Sequence, residues 1–221
     1  MKTTKIVAFL LAFVSSTLKP QQDENVALDK KKQILAALNI RDIDGAEATE
    51  QYNKVITADM IINRDGTTIA KGEQGGTKTG FLCNSASTKE GKLALYVCNV
   101  DGETKYVIPV YGMGLWGSIW GYIALDADKN TIYGAYFDHQ GETAGLGANC
   151  ESDSFKNKFA LDKGLQYPSS DEIPMFYKAG TTPKDEKGQI EAMSGATVTS
   201  RAIANAVKGI LYYDKELRGA E

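Results

Sequence analysis

The middle of the chain alternates apolar runs with short polar breaks, and this rhythm limits the fold more than any other feature. Leu93–Val97, Tyr106–Val110, Gly121–Leu125 and Thr131–Phe137 are rich in β-branched and aromatic residues, which suit a pleated, half-buried surface. Asp126-Ala127-Asp128-Lys129-Asn130 joins the last two as a hairpin turn. Met60–Ile62 adds a short strand before the turn Asn63-Arg64-Asp65-Gly66, and 71–80 is a Gly- and Lys-rich loop. Met175–Lys178 is one more strand, in a loop-rich stretch carrying Pro168, Pro174 and Pro183. Helical periodicity flanks this block. Asn25 caps a predicted helix reaching about Leu38, with Leu28, Leu35 and Leu38 on one face and Lys30, Lys31 and Lys32 on the solvated side. Ala46–Ile56 is a second short helix, and Ser152 or Asp153 starts a third that carries Phe155 and Phe159. Ser200 to about Leu217 is the clearest helix, because Ile203, Val207, Ile210 and Leu211 recur at steps of three and four. Helices at both ends of an antiparallel run predict an α+β fold: an antiparallel sheet flanked by helices.

A length of 221 residues favours one domain, or one domain plus a short appendage, and 43% hydrophobic residues suffice for a packed core. With 25 Lys+Arg against 28 Asp+Glu and no basic stripe, nucleic acid is not an expected partner. Cys83, Cys98 and Cys150 form no CxxC pair, which argues against structural zinc or an iron–sulfur cluster. A Cys83–Cys98 disulfide remains open outside the cytoplasm. At the N-terminus, Lys2 and Lys5 precede nine unbroken apolar residues, Ile6–Val14. Ile6–Leu18 supplies 13 residues, where a spanning helix needs about 20. Snorkelling lysines extend its reach. A single membrane anchor and a signal-like segment both place residues 20–221 across a membrane. The expected organisation is an anchor over 1–18, a polar linker (Lys19–Glu24) and helix over 19–45, and one domain over 46–221.

Chemistry concentrates in three segments. Ser194-Gly195-Ala196-Thr197-Val198-Thr199-Ser200 lies just ahead of the last helix. Its small residues admit a close ligand, and a helix start favours a phosphate. The plain alternative is ordinary helix capping by Ser and Thr. His139-Gln140-Gly141-Glu142-Thr143-Ala144-Gly145-Leu146-Gly147 forms a tight loop in which Thr143 can meet a ligand edge and Leu146 can cover an aromatic ring. The alternative is a Gly-rich turn with an incidental His. His139 and Glu142 lack a third metal ligand, and no nucleophile elbow surrounds the His. Tyr111–Gly121 interleaves four glycines with Trp116 and Trp120, a surface able to stack a planar cofactor or to dock a partner or membrane interface. The alternative there is a strand-edge loop whose Trp residues fill the core.

Taken together, these segments resemble the FMN-binding domain family, in particular the C subunits of sodium-translocating NADH:quinone reductases. The N-terminal apolar run, LDKKKQILAAL, GLWGSIWGYIAL, HQGETAGLG and SGATVTS occur in the family's order. The resemblance implies covalent FMN, esterified through its phosphate to Thr197 by a separate FAD-dependent flavin transferase that uses Mg²⁺. It further implies Ser194, Gly195, Ala196 and Thr199 around the phosphate. Leu115, Trp116, Thr143 and Leu146 would line the flavin ring, with Glu142 in the same loop. No catalytic or metal-binding residue is implied.

By the same resemblance, the chain relays electrons between redox subunits and does not itself oxidise NADH. It is anchored in a bacterial inner membrane with its main domain on the periplasmic side, and it serves Na⁺ export coupled to quinone reduction. Two departures stand out: Glu191 occupies the place of the family's Asp six residues before the acceptor, and Ala144 that of a Pro. The competing expectations are the corresponding flavin subunit of an Rnf-type ferredoxin-linked complex and a non-redox assembly subunit.

Overall fold

A computed structural model describes residues 2–63, 66–159, 164–166 and 175–208. Arg64, Asp65, Pro168, Pro174 and the predicted helical stretch 209–217, with Ile210 and Leu211, lie outside the described residues.

The apolar runs pair into a six-stranded antiparallel sheet: β1 (Ile56–Ile62), β2 (Thr68–Lys71), β3 (Leu93–Val100), β4 (Glu103–Met113), β5 (Ser118–Leu125) and β6 (Ile132–His139), in the order β2-β1-β3-β4-β5-β6. Both faces are covered, which explains why the central strands are apolar almost throughout. In β3, Leu93 and Leu95 enter one core while Ala94, Tyr96 and Cys98 enter the other. The first core is closed by Phe155 and Phe159 and by Ala202, Ile203, Ala206 and Val207 of the last helix. The second is closed by Ile34, Leu35 and Leu38 at the end of the first helix and by Ala48, Tyr52 and Val55 of the second. The result is an α+β fold with helices against both faces of one sheet.

Helix α1 runs without a break from Lys2 to Ala37, so the expected linker Lys19–Glu24 is helical. Pro20 lies inside it; the lost amide costs one hydrogen bond on a solvated stretch. Residues 7–26 are all exposed, and burial begins only toward the helix's C-terminal end. Among the described residues, no helix is long and apolar enough to cross a membrane. The expected solvated face of α1 is also corrected. Lys30 is half-buried, its Nζ donating to the carbonyls of Phe81 and Cys83, while Lys31 lies over the Tyr52 ring.

α2 (Gly45–Val55) is capped by Asp44, whose side chain accepts from the Glu47 amide. A short α3 (Ser85–Lys89) is closed by an Asn84 capping box. The predicted helix with Phe155 and Phe159 divides into α4 (Asp153–Lys156) and a 3-10 turn, Asn157–Phe159. β2 was not anticipated: its residues are mostly exposed, so no apolar alternation marks it. Cys83, Cys98 and Cys150 are free and buried, so Cys83 and Cys98 form no disulfide. Finally, β7 (Phe176–Tyr177) and β8 (Ile190–Glu191) pair in parallel and lead into α5 (Thr197–Lys208).

Candidate functional site

β8 delivers the chain to a tight turn. The Ala196 amide donates to the Met193 carbonyl at 3.2 Å, and Gly195 between them has φ +71°. That is the third position of a type II turn, where a residue with a Cβ is strained. A Cβ there would also stand 2.8 Å from Cδ2 of Leu146. α5 begins immediately afterward, with Thr197 as its first residue. Ala196 occupies the cap position, since its carbonyl accepts the Ser200 amide at 3.0 Å, and its methyl group cannot cap. The neighbouring hydroxyls bond elsewhere: Ser200 Oγ accepts from the Met193 amide at 3.1 Å, and Thr199 Oγ1 donates to Glu142 Oε2 at 2.5 Å. Ser and Thr therefore do not cap this helix. Its first amides have no intrahelical carbonyl to bond.

Thr197 is exposed on the wall of a cleft of about 510 Å³. The cleft is bounded by Phe176–Ala179 on one side and by Ser194, Gly195, Thr197, Arg201 and Ala204 on the other. Thr197, Arg201 and Ala204 recur at helical spacing along that side. Lys178 and Arg201 both line the cleft, and its described lining contains no Asp or Glu. These two cations escaped the sequence reading. The signal for Arg201 was available, because it lies four residues after Thr197 on a helix.

The expected ring-lining residues are not on the cleft wall. Leu115 and Trp116 sit at the tip of the β4–β5 hairpin, a turn over residues 114–117 closed by Gly114 N–H to the Gly117 carbonyl at 2.8 Å. Most of the predicted aromatic loop is thus paired strand. Trp120, within β5, is half-buried, whereas Trp116 is 70% exposed. Thr143 and Leu146 are exposed in the loop that follows β6. Exposed Met113, Leu115, Trp116, Leu146 and Val198 supply the apolar surface of these segments. Leu146 meets the turn at Gly195.

Glu142, expected at the flavin, is instead 8% exposed and serves as the junction of the three segments. Its carboxylate accepts the Trp116 amide at 3.0 Å and the Thr199 hydroxyl at 2.5 Å. Burial raises its pKa, but hydrogen bonds from Thr199 and the amides of Trp116 and Leu115 outweigh that effect and hold it below the ordinary carboxylate value. Its own amide donates to His139 Nδ1 at 3.0 Å. Thr199, 2% exposed and committed to Glu142, has no free hydroxyl to offer a phosphate. Ala196 is also buried, while Ser194 and Gly195 are exposed.

Glu191 has an internal role. It accepts the Gly180 amide at 2.9 Å and pairs with Lys158 at 3.6 Å. The Gly180 bond first, and then Lys158, lower its pKa. The contact ties β8 to the segment that follows β7.

The residues fit a flavin nucleotide. There is an exposed threonine at a helix start, a cleft with cations and no carboxylate among its described lining residues, and exposed apolar side chains close by. Comparison with known proteins agrees. A family model described as FMN-binding domain matches residues 114–212. The chain is 29% identical over 218 residues to the C subunit of the Na⁺-translocating NADH-quinone reductase of Haemophilus ducreyi, covering 92% of this chain and 83% of that one. It is likewise 29% identical over 230 residues to the same subunit of Pseudomonas aeruginosa, covering 91% and 88%. The crystal structure of the corresponding protein from Parabacteroides distasonis superposes with a TM-score of 0.77 at 34% identity, covering 90% of this chain and 96% of that one. Shewanella oneidensis NqrC shares the fold, with a TM-score of 0.66 at 23% identity over 86% and 96% of the two chains. A third of the residues are shared with the Parabacteroides protein along almost its whole length, and the chain belongs to the family of C subunits of the Na⁺-translocating NADH-quinone reductase.

Proposed function

We propose that this chain carries one FMN, esterified through its phosphate to Thr197, and relays electrons between redox subunits of a Na⁺-translocating NADH:quinone reductase. The observation that carries this reading is the exposure of Thr197, at the first position of α5 and on the wall of the 510 Å³ cleft. FMN, when bound, supplies reversible one- and two-electron chemistry at its ring.

The chain's own residues do the rest. The turn at Ser194–Ala196 and the first amides of α5 receive the phosphate end, and the helix dipole favours its charge. Lys178 and Arg201 add positive charge. Leu115, Trp116, Thr143 and Leu146 present the surface against which the ring rests. With no carboxylate among the described cleft residues, Thr197 has no resident base there, which favours attachment by an external FAD-dependent transferase. The exposed apolar positions of α1, including Phe9, Leu10, Leu11 and Phe13, suit a membrane anchor for residues 1–18. The sheet domain, with the Ile34–Leu38 end of α1 packed into it, is placed on the periplasmic side of a bacterial inner membrane.

The test is the intact mass of the chain after co-expression with a flavin transferase. An added FMN mass, lost in Thr197→Ala, is the expected result. An unmodified chain, or a Thr197→Ala chain that still carries the mass, defeats the assignment.

A further inference from the structure

Three contacts converge on Glu142 from separate parts of the chain. Its carboxylate takes the Trp116 amide from the β4–β5 hairpin and the Thr199 hydroxyl from α5. Its amide is held by His139 at the end of β6. Two glycines make room for it: a Cβ on Gly114 would lie 2.5 Å from Oε1, and one on Gly147 would collide with Oε2. A buried ionised group is costly unless fully bonded, and an apolar side chain of similar size is often as stabilising. The property a carboxylate has and an apolar group lacks is directional attachment to several donors at once.

We propose that Glu142 is the positioning residue of this site. It locks the Leu115–Trp116 turn, the Leu146 loop and the first turn of α5 into one unit. Thr199 is two residues beyond Thr197 in that helical turn, so its bond to Glu142 fixes the rotation of the turn and the direction in which Thr197 points. Leu146 against Gly195 sets the spacing on the same seam. The locking stands on the geometry alone; its effect on a tethered flavin rests on the function proposed above.

The experiment compares wild type with Thr199→Val and Thr199→Ser, each with and without flavin. Backbone amide exchange at Leu115 and Trp116 is read by NMR. Loss of the Thr199 hydroxyl is expected to speed exchange at these two amides about tenfold, with protection at Tyr96 in β3 unchanged and Ser restoring the wild-type rate. In the flavinylated chain, Val is expected to shift the flavin's reduction midpoint and lower its fluorescence anisotropy, while Ser does neither. Unchanged exchange at Leu115 and Trp116 in Thr199→Val overturns the proposal, as does unchanged flavin behaviour in a chain shown to carry FMN on Thr197. If the chain accepts no flavin, the proposed function falls, and the exchange rates alone decide the clamp. Should Thr199→Val fail to fold, Glu142→Gln takes its place in the same comparison.

Discussion

Thr199 and Glu142 stand 57 positions apart in sequence, and the hydroxyl of one donates to the carboxylate of the other at 2.5 Å in the protein interior. That bond and two amide bonds keep the Glu142 carboxyl below its ordinary value of 4.5 although burial acts the other way. A carboxylate depressed in the folded state stabilises the fold above its unfolded pKa, and the contribution disappears as pH falls through the folded value. Wild type is therefore expected to exceed Glu142→Gln in stability at pH 7, with the gap closing below about pH 4.5. Urea titrations of both proteins across pH 3–7 check this. A gap independent of pH contradicts it.

Lys178 and Arg201 share the cleft wall with Thr197. Hydrogen bonds to charged groups contribute about 1.5–3 kcal/mol, so Arg201→Ala is expected to slow flavin attachment roughly tenfold or more. Lys178→Ala should have a smaller effect, because a flexible ammonium lacks the planar fork. Mass spectra taken through a timed reaction with transferase and FAD provide the measurement. Equal rates for wild type and Arg201→Ala would remove Arg201 from the site.

Gly195 combines a φ of +71° with Leu146 Cδ2 at 2.8 Å from where a Cβ would stand. The left-handed backbone costs a non-glycine residue roughly 1–2 kcal/mol, and the contact adds to it. Gly195→Ala should destabilise the fold by about 2 kcal/mol. Gly195→Ala with Leu146→Ala should recover only the steric part. Denaturant midpoints of the single and double variants separate the two contributions.

Burial lowers the Lys30 pKa from 10.5 to about 8. The folded state then releases its proton before the unfolded state does, so this group's contribution to stability rises between about pH 8 and 10.5. Against Lys30→Met, wild type should gain stability over that interval and run parallel to the variant at pH 6–7. A difference that stays constant up to pH 10 would show that Lys30 is not desolvated as its contacts with Phe81 and Cys83 require.

Residues 7–18 of α1 are exposed along their whole length. Their removal is expected to leave the domain's melting within about 0.5 kcal/mol of the full chain while abolishing sedimentation with membranes. Calorimetry and flotation on vesicles test the two halves of this expectation separately.

Much of the fold was legible because burial on both faces of the sheet leaves a strong local signature. Leu93–Val97 and Gly121–Leu125 could hardly be anything but interior strands, and Asp126–Asn130 contains the turn that joins the second of these to β6. Edge strand β2 was not legible, since only its pairing with β1, and no apolar pattern, makes it a strand. Nor was the continuity of α1: a proline in a polar stretch reads as a break, yet on a solvated helix it removes a single bond.

By itself, the amino-acid order determined the α+β class, the strands β3 to β6 and the three segments that meet at Glu142. Those properties depend on side-chain type at short spacing. Tertiary structure alone decided that Glu142 is an internal junction, that Thr199 faces it while Thr197 faces the cleft, and that Lys178 and Arg201 share that cleft. A hydrogen bond between residues 57 positions apart leaves no periodic trace in the chain, because the sheet and α5 must be assembled before its partners meet.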